Sequence, residues 1–282
     1  MIKVLKSGFY STIQDLGRFG YREFGVPVSG AMDSYSSNFA NSILNNEKGA
    51  SVLEMTMIGA ELKFLEPTVI AITGANMNPM LNGESIDMFN SILVHANDIL
   101  SLGNAQSGFR TYIAVKGGFL TETVLGSRSM AKEVTDVSKI SKGDCLLISQ
   151  YLSSVETKNA KVRFYSSYFE SPILKVTKGP EFSKLSLEQQ ELLCSQNFEV
   201  SKHNNRMAYQ LLPLFHNSLD SILTAPVLPG TIQLTPSGQL IVLMKDCQTT
   251  GGYPRVLQLT EESINILSQK FTGASVLMRL RI

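Results

Sequence analysis

The chain carries 25 Lys and Arg against 24 Asp and Glu over 282 residues, a formal net charge of +1, with 43% hydrophobic and 17% charged residues. Charges so balanced and scattered offer no long-range field to a polyanion, and no window reaches the roughly 18 consecutive apolar residues of a membrane helix, so neither nucleic acid nor membrane is an expected partner. The length lies near the point where a single hydrophobic core splits, so two domains are expected.

Residues 2–5 read as a first strand. A long polar loop follows over 11–33, where four glycines, one proline, two arginines and three carboxylates leave no room for a helix. Within it, Asp15 and Arg18 either hold an anionic group or pair with each other. Asp33 is placed to cap a helix running to Asn45, because its carboxylate can accept the free amide hydrogens of the first turn. Phe39, Ile43 and Leu44 form the expected buried stripe.

The period then changes. Ile58, Ala60, Leu62 and Phe64 alternate as on a half-buried strand. Further short strands are expected at 69–72, 92–94, 99–102, 112–115 and 145–148, a spacing that fits a barrel or sandwich and not a parallel sheet. The stretches 73–76 and 125–129 set glycine beside polar side chains. Each either presents backbone amides to an anion or is an ordinary turn.

Residues 151–160 lose all periodicity and read as a linker, which gives expected domains at 1–155 and 156–282. Strands are expected at 162–165 and 173–176, and a short helix opens at Ser186, whose spacing to Gln189 fits a capping box. Strands at 198–201, 232–234 and 240–244 follow. The last delivers the loop Thr249-Thr250-Gly251-Gly252-Tyr253-Pro254, either a tight hairpin or a site carried on the end of a rigid strand. A helix over 261–270 has acids at its start and Lys270 at its end, as the helix dipole prefers. Val276, Met278 and Leu280 alternate in a closing strand.

Neither standard nucleotide-binding glycine loop is present, and His95, His203 and His216 have no metal-ligand spacing, so no metal is expected. Cys145, Cys194 and Cys247 are odd in number and far apart, which disfavours a disulfide scaffold or zinc site. Residues 1–10 hold no apolar run long enough for a signal peptide, so a cytoplasmic protein is expected.

Residues 12–22 and 25–33, with Leu53-Glu54, 72–75, 112–119, 125–129 and 246–254, resemble the family of the 5-oxoprolinase C component, also called KipA or allophanate hydrolase subunit 2. The same module forms part of the carboxyltransferase domain of urea carboxylase. The resemblance covers essentially the whole chain in six ordered blocks, 12–22 and 25–33 together forming the first. It implies a mainly β fold with a few short helices, cyclophilin-like β-barrels and two β-rich domains. It also implies a companion B component, KipI-like, and an A component, which together open 5-oxoproline to glutamate with ATP.

On that resemblance Asp15, Asp33 and Gln248 are the expected catalytic groups. Arg18, Arg128, Arg206, Thr249, Thr250 and Tyr253 are expected to bind substrate, the arginines through paired hydrogen bonds to carboxylate or phosphoryl oxygens. ATP is expected mainly on, or shared with, the B component. Where the family has Ser-Asp-Arg-Met-Gly, this chain has Asn204-Asn205-Arg206-Met207-Ala208, so a carboxylate has become an amide. Lys245 follows a methionine as in biotin carriers, but Asp246 takes the third place, so no biotin is expected on this chain. Two other functions fit the same family. One is a KipA-like regulator that binds a KipI-like inhibitor of a histidine kinase, and the other is a carboxyltransferase component of a biotin-dependent carboxylase.

Overall fold

The computed structural model describes residues 1–150 and 164–281. By contact density the chain forms two units, one of residues 1–18 and 29–167, the other of residues 19–28 and 168–282. The expected boundary at 155/156 lies outside the described residues. The segment 19–28, expected in the first domain, belongs to the second unit.

The first unit contains β1 (Ile2–Lys6), β2 (Tyr10–Gln14), α1 (Ser34–Ile43), β3 (Val52–Thr56), β4 (Glu61–Phe64), β5 (Thr68–Asn76), β6 (Met80–Leu81), β7 (Glu84–Ser85), β8 (Ser91–Val94), β9 (Ile99–Ser101), β10 (Ser107–Val115) and β11 (Cys145–Leu146). They make a five-stranded sheet in the order β2-β3-β10-β5-β8 and a six-stranded sheet in the order β11-β1-β4-β9-β6-β7. The long strands β5 and β10 are buried on both faces, and their period of two decides what each face meets. Ile70, Ile72, Ile113 and Val115 enter a core shared with Ile2, Val4, Leu62 and Phe64 of the other sheet. Ala71, Tyr112 and Ala114 point the other way, toward Ala40 and Leu44.

Small residues on that second face let α1 lie close. The helix therefore buries Ser36, Ser37, Ala40 and Asn41, and Phe39 and Ile43 of the expected stripe are only partly covered. Asp33 is its N-cap as expected, with Oδ1 accepting from Ser36 N at 3.0 Å. Two expected loops are strands. Residues 11–14 lie in β2, and Thr73–Asn76 closes β5, where Gly74 at φ +85° sits beside a register shift against β10. A Cβ at Gly74 would meet the Arg110 carbonyl at 2.4 Å, so the glycine is required by both torsion and space.

The second unit contains β12 (Ile173–Lys178), α2 (Leu187–Leu193), β13 (Asn197–Asn204), β14 (Ala208–Leu212), β15 (Ala225–Pro226), β16 (Thr231–Leu234), β17 (Leu240–Leu243), β18 (Thr250–Gly251), β19 (Arg255–Leu259), α3 (Glu261–Ser268) and β20 (Ser275–Leu280). Seven of them close a barrel in the order β12-β19-β16-β17-β14-β13-β20, with β12 and β20 parallel and the other pairs antiparallel. Closure leaves no strand edge to template aggregation. Leu174, Val176, Val200, Leu211, Ile232, Leu234, Val242, Leu257, Val276 and Met278 are fully or almost fully buried. The capping box at α2 is present, Ser186 and Gln189 satisfying one another's backbone amides. Lys270 stands beyond the end of α3, and its Nζ donates to the Phe169 carbonyl instead of the helix terminus. Of the strand expected at 162–165, residues 162 and 163 lie outside the described residues, and 164–165 carry no strand.

Candidate functional site

In the first unit β2 ends at Gln14, and the chain turns through Asp15. The Asp15 carboxylate ties down the loop 127–129: Oδ1 accepts from Gly17 N at 2.8 Å and from Ser127 Oγ and Ser129 Oγ, both at 2.6 Å, while Oδ2 accepts from Arg128 N at 2.6 Å. Four donors fill this carboxylate: the backbone of Gly17 and Arg128 and the hydroxyls of Ser127 and Ser129. Arg18 is 1% exposed and donates to the carbonyls of Ser129 and Val124. Both residues spend their hydrogen bonds on holding the loop, as positioning groups. The loop's own amides are spent as well, Ser127 N on the Val124 carbonyl at 3.2 Å and Ser129 N on Ser127 Oγ at 3.0 Å. The amides of 127–129 are therefore engaged within the fold, in a knotted turn.

Arg128 is different. Its Nη1 donates to the Thr121 carbonyl, and its side chain lines a cavity of about 480 Å³.

Asp33 lies at the foot of α1, wholly buried in a polar network. Its Oδ2 accepts from Ser36 Oγ at 2.7 Å, and its amide donates to the Tyr112 hydroxyl at 2.8 Å. Glu54 accepts from Met32 N at 2.7 Å and pairs with Arg110 at 3.8 Å, both side chains within 2% of full burial. Burial raises the Tyr112 phenol well above its ordinary pKa, and the Glu54 and Asp33 carboxylates reinforce the shift. Tyr112 is thus a neutral hydrogen-bonding partner. The network fixes the helix to the sheet, with Asp33 as its cap and anchor.

The remaining expected residues lie in the second unit. Arg206 is held by a bidentate pair with Asp246, Nε to Oδ2 at 2.7 Å and Nη2 to Oδ1 at 3.0 Å, and is 4% exposed. The Asp246 amide also donates to the Arg206 carbonyl at 2.9 Å. Arg206 therefore locks the β13–β14 turn to the loop after β17. In that turn Asn205 Oδ1 accepts from Met207 N at 2.8 Å and Ala208 N at 3.1 Å.

Beyond the lock the loop presents Cys247, Gln248, Thr249 and Thr250. Gln248 Nε2 lies 3.5 Å from Gln233 Oε1, and Gln233 Nε2 lies 3.4 Å from the Tyr253 carbonyl. A Cβ on Gly251 would stand 2.4 Å from Gln233 Nε2, so a glycine is needed for this amide to reach over the strand. Arg22, in the segment 19–28, donates through Nη2 to the carbonyls of Val227 and Thr249. Burial pushes the Cys247 thiol up to about 11, against the pull of the adjoining Arg22 guanidinium. It is inert at neutral pH.

Two polar atoms on this loop and its neighbour are buried without a hydrogen-bond partner among the described residues: Gln248 Oε1, an acceptor, and Arg22 Nη1, a donor. Such orphaned groups cost free energy unless something binds them, and they concentrate at functional sites. The hydroxyls of Thr249 and Thr250 make no hydrogen bond among the described residues either, and Tyr253 is 39% exposed. Arg22 and Gln233 were not among the expected site residues. Arg22 sits in one of the resembling blocks, whereas nothing in the local sequence marks Gln233.

A family model described as the carboxyltransferase domain, subdomain A and B, matches residues 24–280. The chain is similar to the C component of 5-oxoprolinase from Escherichia coli (strain K12), 31% identical over 276 residues, which is 95% of this chain and 87% of that protein. It is also similar to the urea amidolyase of Lachancea kluyveri, 41% identical over 128 residues, 45% of this chain and 7% of that protein. Among solved structures, TTHA0988 superimposes with a TM-score of 0.87 at 28% identity, covering 100% of this chain and 55% of that one. The chain thus spans about half the length of that solved relative.

Proposed function

Since the chain belongs to the family of the carboxyltransferase domain, subdomains A and B, we propose that it serves as the C component of an ATP-dependent 5-oxoprolinase. It forms with a B component a composite site that activates 5-oxoproline for ring opening to L-glutamate, and an A component completes the enzyme. The near full-length kinship with the C component of 5-oxoprolinase supports this choice within the family.

The observation that carries the proposal is two buried polar atoms with no hydrogen-bond partner among the described residues, the acceptor Gln248 Oε1 and the donor Arg22 Nη1. A lactam presents its N–H and C=O on one edge because the ring holds the amide cis. Gln248 Oε1 would accept from the ring N–H, and Arg22 Nη1 would donate to the carbonyl oxygen. A cation on that oxygen draws electron density from the carbonyl carbon and stabilises the negative charge that gathers on the oxygen as the resonance-stabilised lactam is attacked. The Gln233 amide orients Gln248, and the Arg206–Asp246 lock holds the loop. Thr249, Thr250 and Tyr253 line the approach.

ATP would supply the phosphoryl group that activates the carbonyl. The 127–129 amides of this chain, already hydrogen-bonded within the fold, do not fit it as a phosphate cradle, so the nucleotide is assigned to the partner.

The test is reconstitution with the B and A components, measuring ATP-dependent release of glutamate. Q248A and R22A are expected to lose turnover while the complex still forms. No activity from the full set, or full activity without this chain, overturns the proposal. The stretch similar to urea amidolyase favours one second reading, carboxyl transfer to an amide nitrogen from a biotin carrier on another chain. Urea presents the same N–H and C=O edge, so the product identified decides between the two.

A further inference from the structure

The cavity beside Arg128 has no part in the lactam site above. It lies entirely within the first unit, under the irregular excursion between β10 and β11. That excursion is pinned at both ends and along its length. Leu120 N donates to the Leu147 carbonyl at 2.8 Å, Met130 N to the Ile13 carbonyl at 2.9 Å, and Ile140 N to the Ser11 carbonyl at 2.9 Å. The Asp15 carboxylate fixes the backbone of Arg128 itself. A rim held this way is a preformed site and not a gap between mobile loops.

The lining has three chemical parts. Leu120, Val124, Met130 and Leu146 supply an apolar wall. Arg128 brings a guanidinium whose bonds among the described residues go to one backbone carbonyl, that of Thr121, and to no carboxylate. Thr121 also lines the cavity, and its Oγ1 is buried with no hydrogen-bond partner among the described residues. A half-buried cation that faces about 480 Å³ of space and pairs with no carboxylate among the described residues is an unusual arrangement for a structural arginine. Glu122 and Asp144 stand on the same lining and repel a second negative charge on a ligand, while Asp144 is engaged by Ser141 N at 2.7 Å.

We infer that this cavity is a binding site for a small monocarboxylate with an apolar body. The carboxylate meets Arg128 and the Thr121 hydroxyl, and the hydrocarbon part lies on the Leu120, Val124, Met130 and Leu146 wall. The acids favour a ligand that also carries an ammonium over one with a second carboxylate. The inference does not depend on the lactam site, because it concerns binding to this chain alone.

Cys145 supplies the reporter, since its exposed thiol lines the same cavity, whereas Cys247 is buried. The full chain is alkylated with iodoacetamide, and the rate at Cys145 is followed by mass spectrometry with leucine, 4-methylvalerate, 4-methylvaleramide or 5-oxoproline present. Calorimetric titration gives the affinities. Leucine or 4-methylvalerate is expected to slow alkylation at Cys145 saturably, and 4-methylvaleramide to do so at least tenfold less well. Arg128→Gln should weaken binding of the acid roughly tenfold to a hundredfold, and Arg128→Lys should restore part of it, with far-UV dichroism unchanged in both. If 5-oxoproline protects best, the ligand is the reaction's own lactam acid; if the aliphatic acids protect and it does not, the ligand is a separate metabolite. Equal protection by acid and amide, no protection by any carboxylate, or unchanged binding in Arg128→Gln overturns the inference.

Discussion

Replacing Asp15 with asparagine tests whether the carboxylate is a positioning group for the 127–129 loop or a reacting one. In the wild-type chain Oδ1 takes three donors and Oδ2 takes one. The substituted amide keeps most of them by turning its carbonyl toward Gly17, Ser127 and Ser129. Its nitrogen then faces Arg128 N, donor against donor. One charge-assisted bond is lost outright, worth about 2 kcal/mol, and three others fall from charged to neutral strength at about 0.5 kcal/mol each. The sum is about 3 kcal/mol after rounding down for the partial exposure of the site, which corresponds to a Tm shift of roughly 6–12 °C at this chain length.

Urea titration followed by far-UV dichroism measures it, fitted to the first transition because two units need not unfold together. Ser127→Ala should cost about 1 kcal/mol alone and less in the Asp15→Asn background, a coupling of at least about 0.5 kcal/mol. An Asp15→Asn protein within about 0.5 kcal/mol of wild type would refute the account of the knot. So would strict additivity of the two changes.

Breaking the Arg206–Asp246 lock from one side, as Arg206→Met, should destabilise the barrel unit by about 3–5 kcal/mol by stranding the Asp246 carboxylate, and adding Asp246→Leu should recover much of it; a thermal melt of the two variants beside wild type reads this. The Glu181 carboxyl is held below the ordinary range by its bidentate contact with Arg255, at 2.9 and 3.0 Å, against the opposing effect of burial. A depressed folded value stabilises above the unfolded pKa of about 4.3 and is lost as the pH falls through the lower folded value. Glu181→Gln should accordingly flatten the acid limb of a stability-against-pH curve below about pH 4 and leave its slope near neutrality alone. At pH 8 a thiol reagent should modify Cys145 first and Cys247 only on unfolding, which quantitative labelling checks. Gly74→Ala should cost about 2 kcal/mol or more in a urea titration, because both the torsion and the Arg110 carbonyl oppose a side chain there.

Features set by neighbours in sequence were legible. The Asp33 cap and the Ser186–Gln189 box depend on spacings of three residues, and both are present. The mainly β barrel architecture follows from short alternating runs, which a period of two reveals. Features set by distant partners were not legible. Arg206 meets its acid 40 residues away, and Arg22 reaches the Val227 carbonyl 205 residues away, so local composition cannot distinguish a lock from a substrate clamp. The buried face of α1 was legible only in part: Leu44 is in the core as expected, but the sheet beneath the helix offers alanines and a polar network, so Ser36, Ser37, Ala40 and Asn41 are buried more fully than Phe39 and Ile43. The stretch Thr73–Asn76 passed for a loop because its glycine serves a bulged strand, and a bulge and a turn ask for the same residue.

Asn205 stands where the resemblance leads one to expect an aspartate, and its hydrogen bonds show what the position does here. Asn205 Oδ1 accepts two amide hydrogens at the β13–β14 turn, a task for a carbonyl oxygen that needs no negative charge. The turn then sets Arg206 against Asp246, and Asp246 stands two residues before Gln248. What the turn contributes to the loop is shape, and an amide provides it as well as a carboxylate does. Asn205→Asp is therefore expected to leave the melting temperature within about 2 °C of wild type and turnover in the reconstituted enzyme within about twofold, whereas Asn205→Ala removes both hydrogen bonds and should cost about 1–2 kcal/mol. A large gain in turnover on introducing the aspartate would mean that the carboxylate takes part in the chemistry, and the turn would have to be counted among the reacting groups.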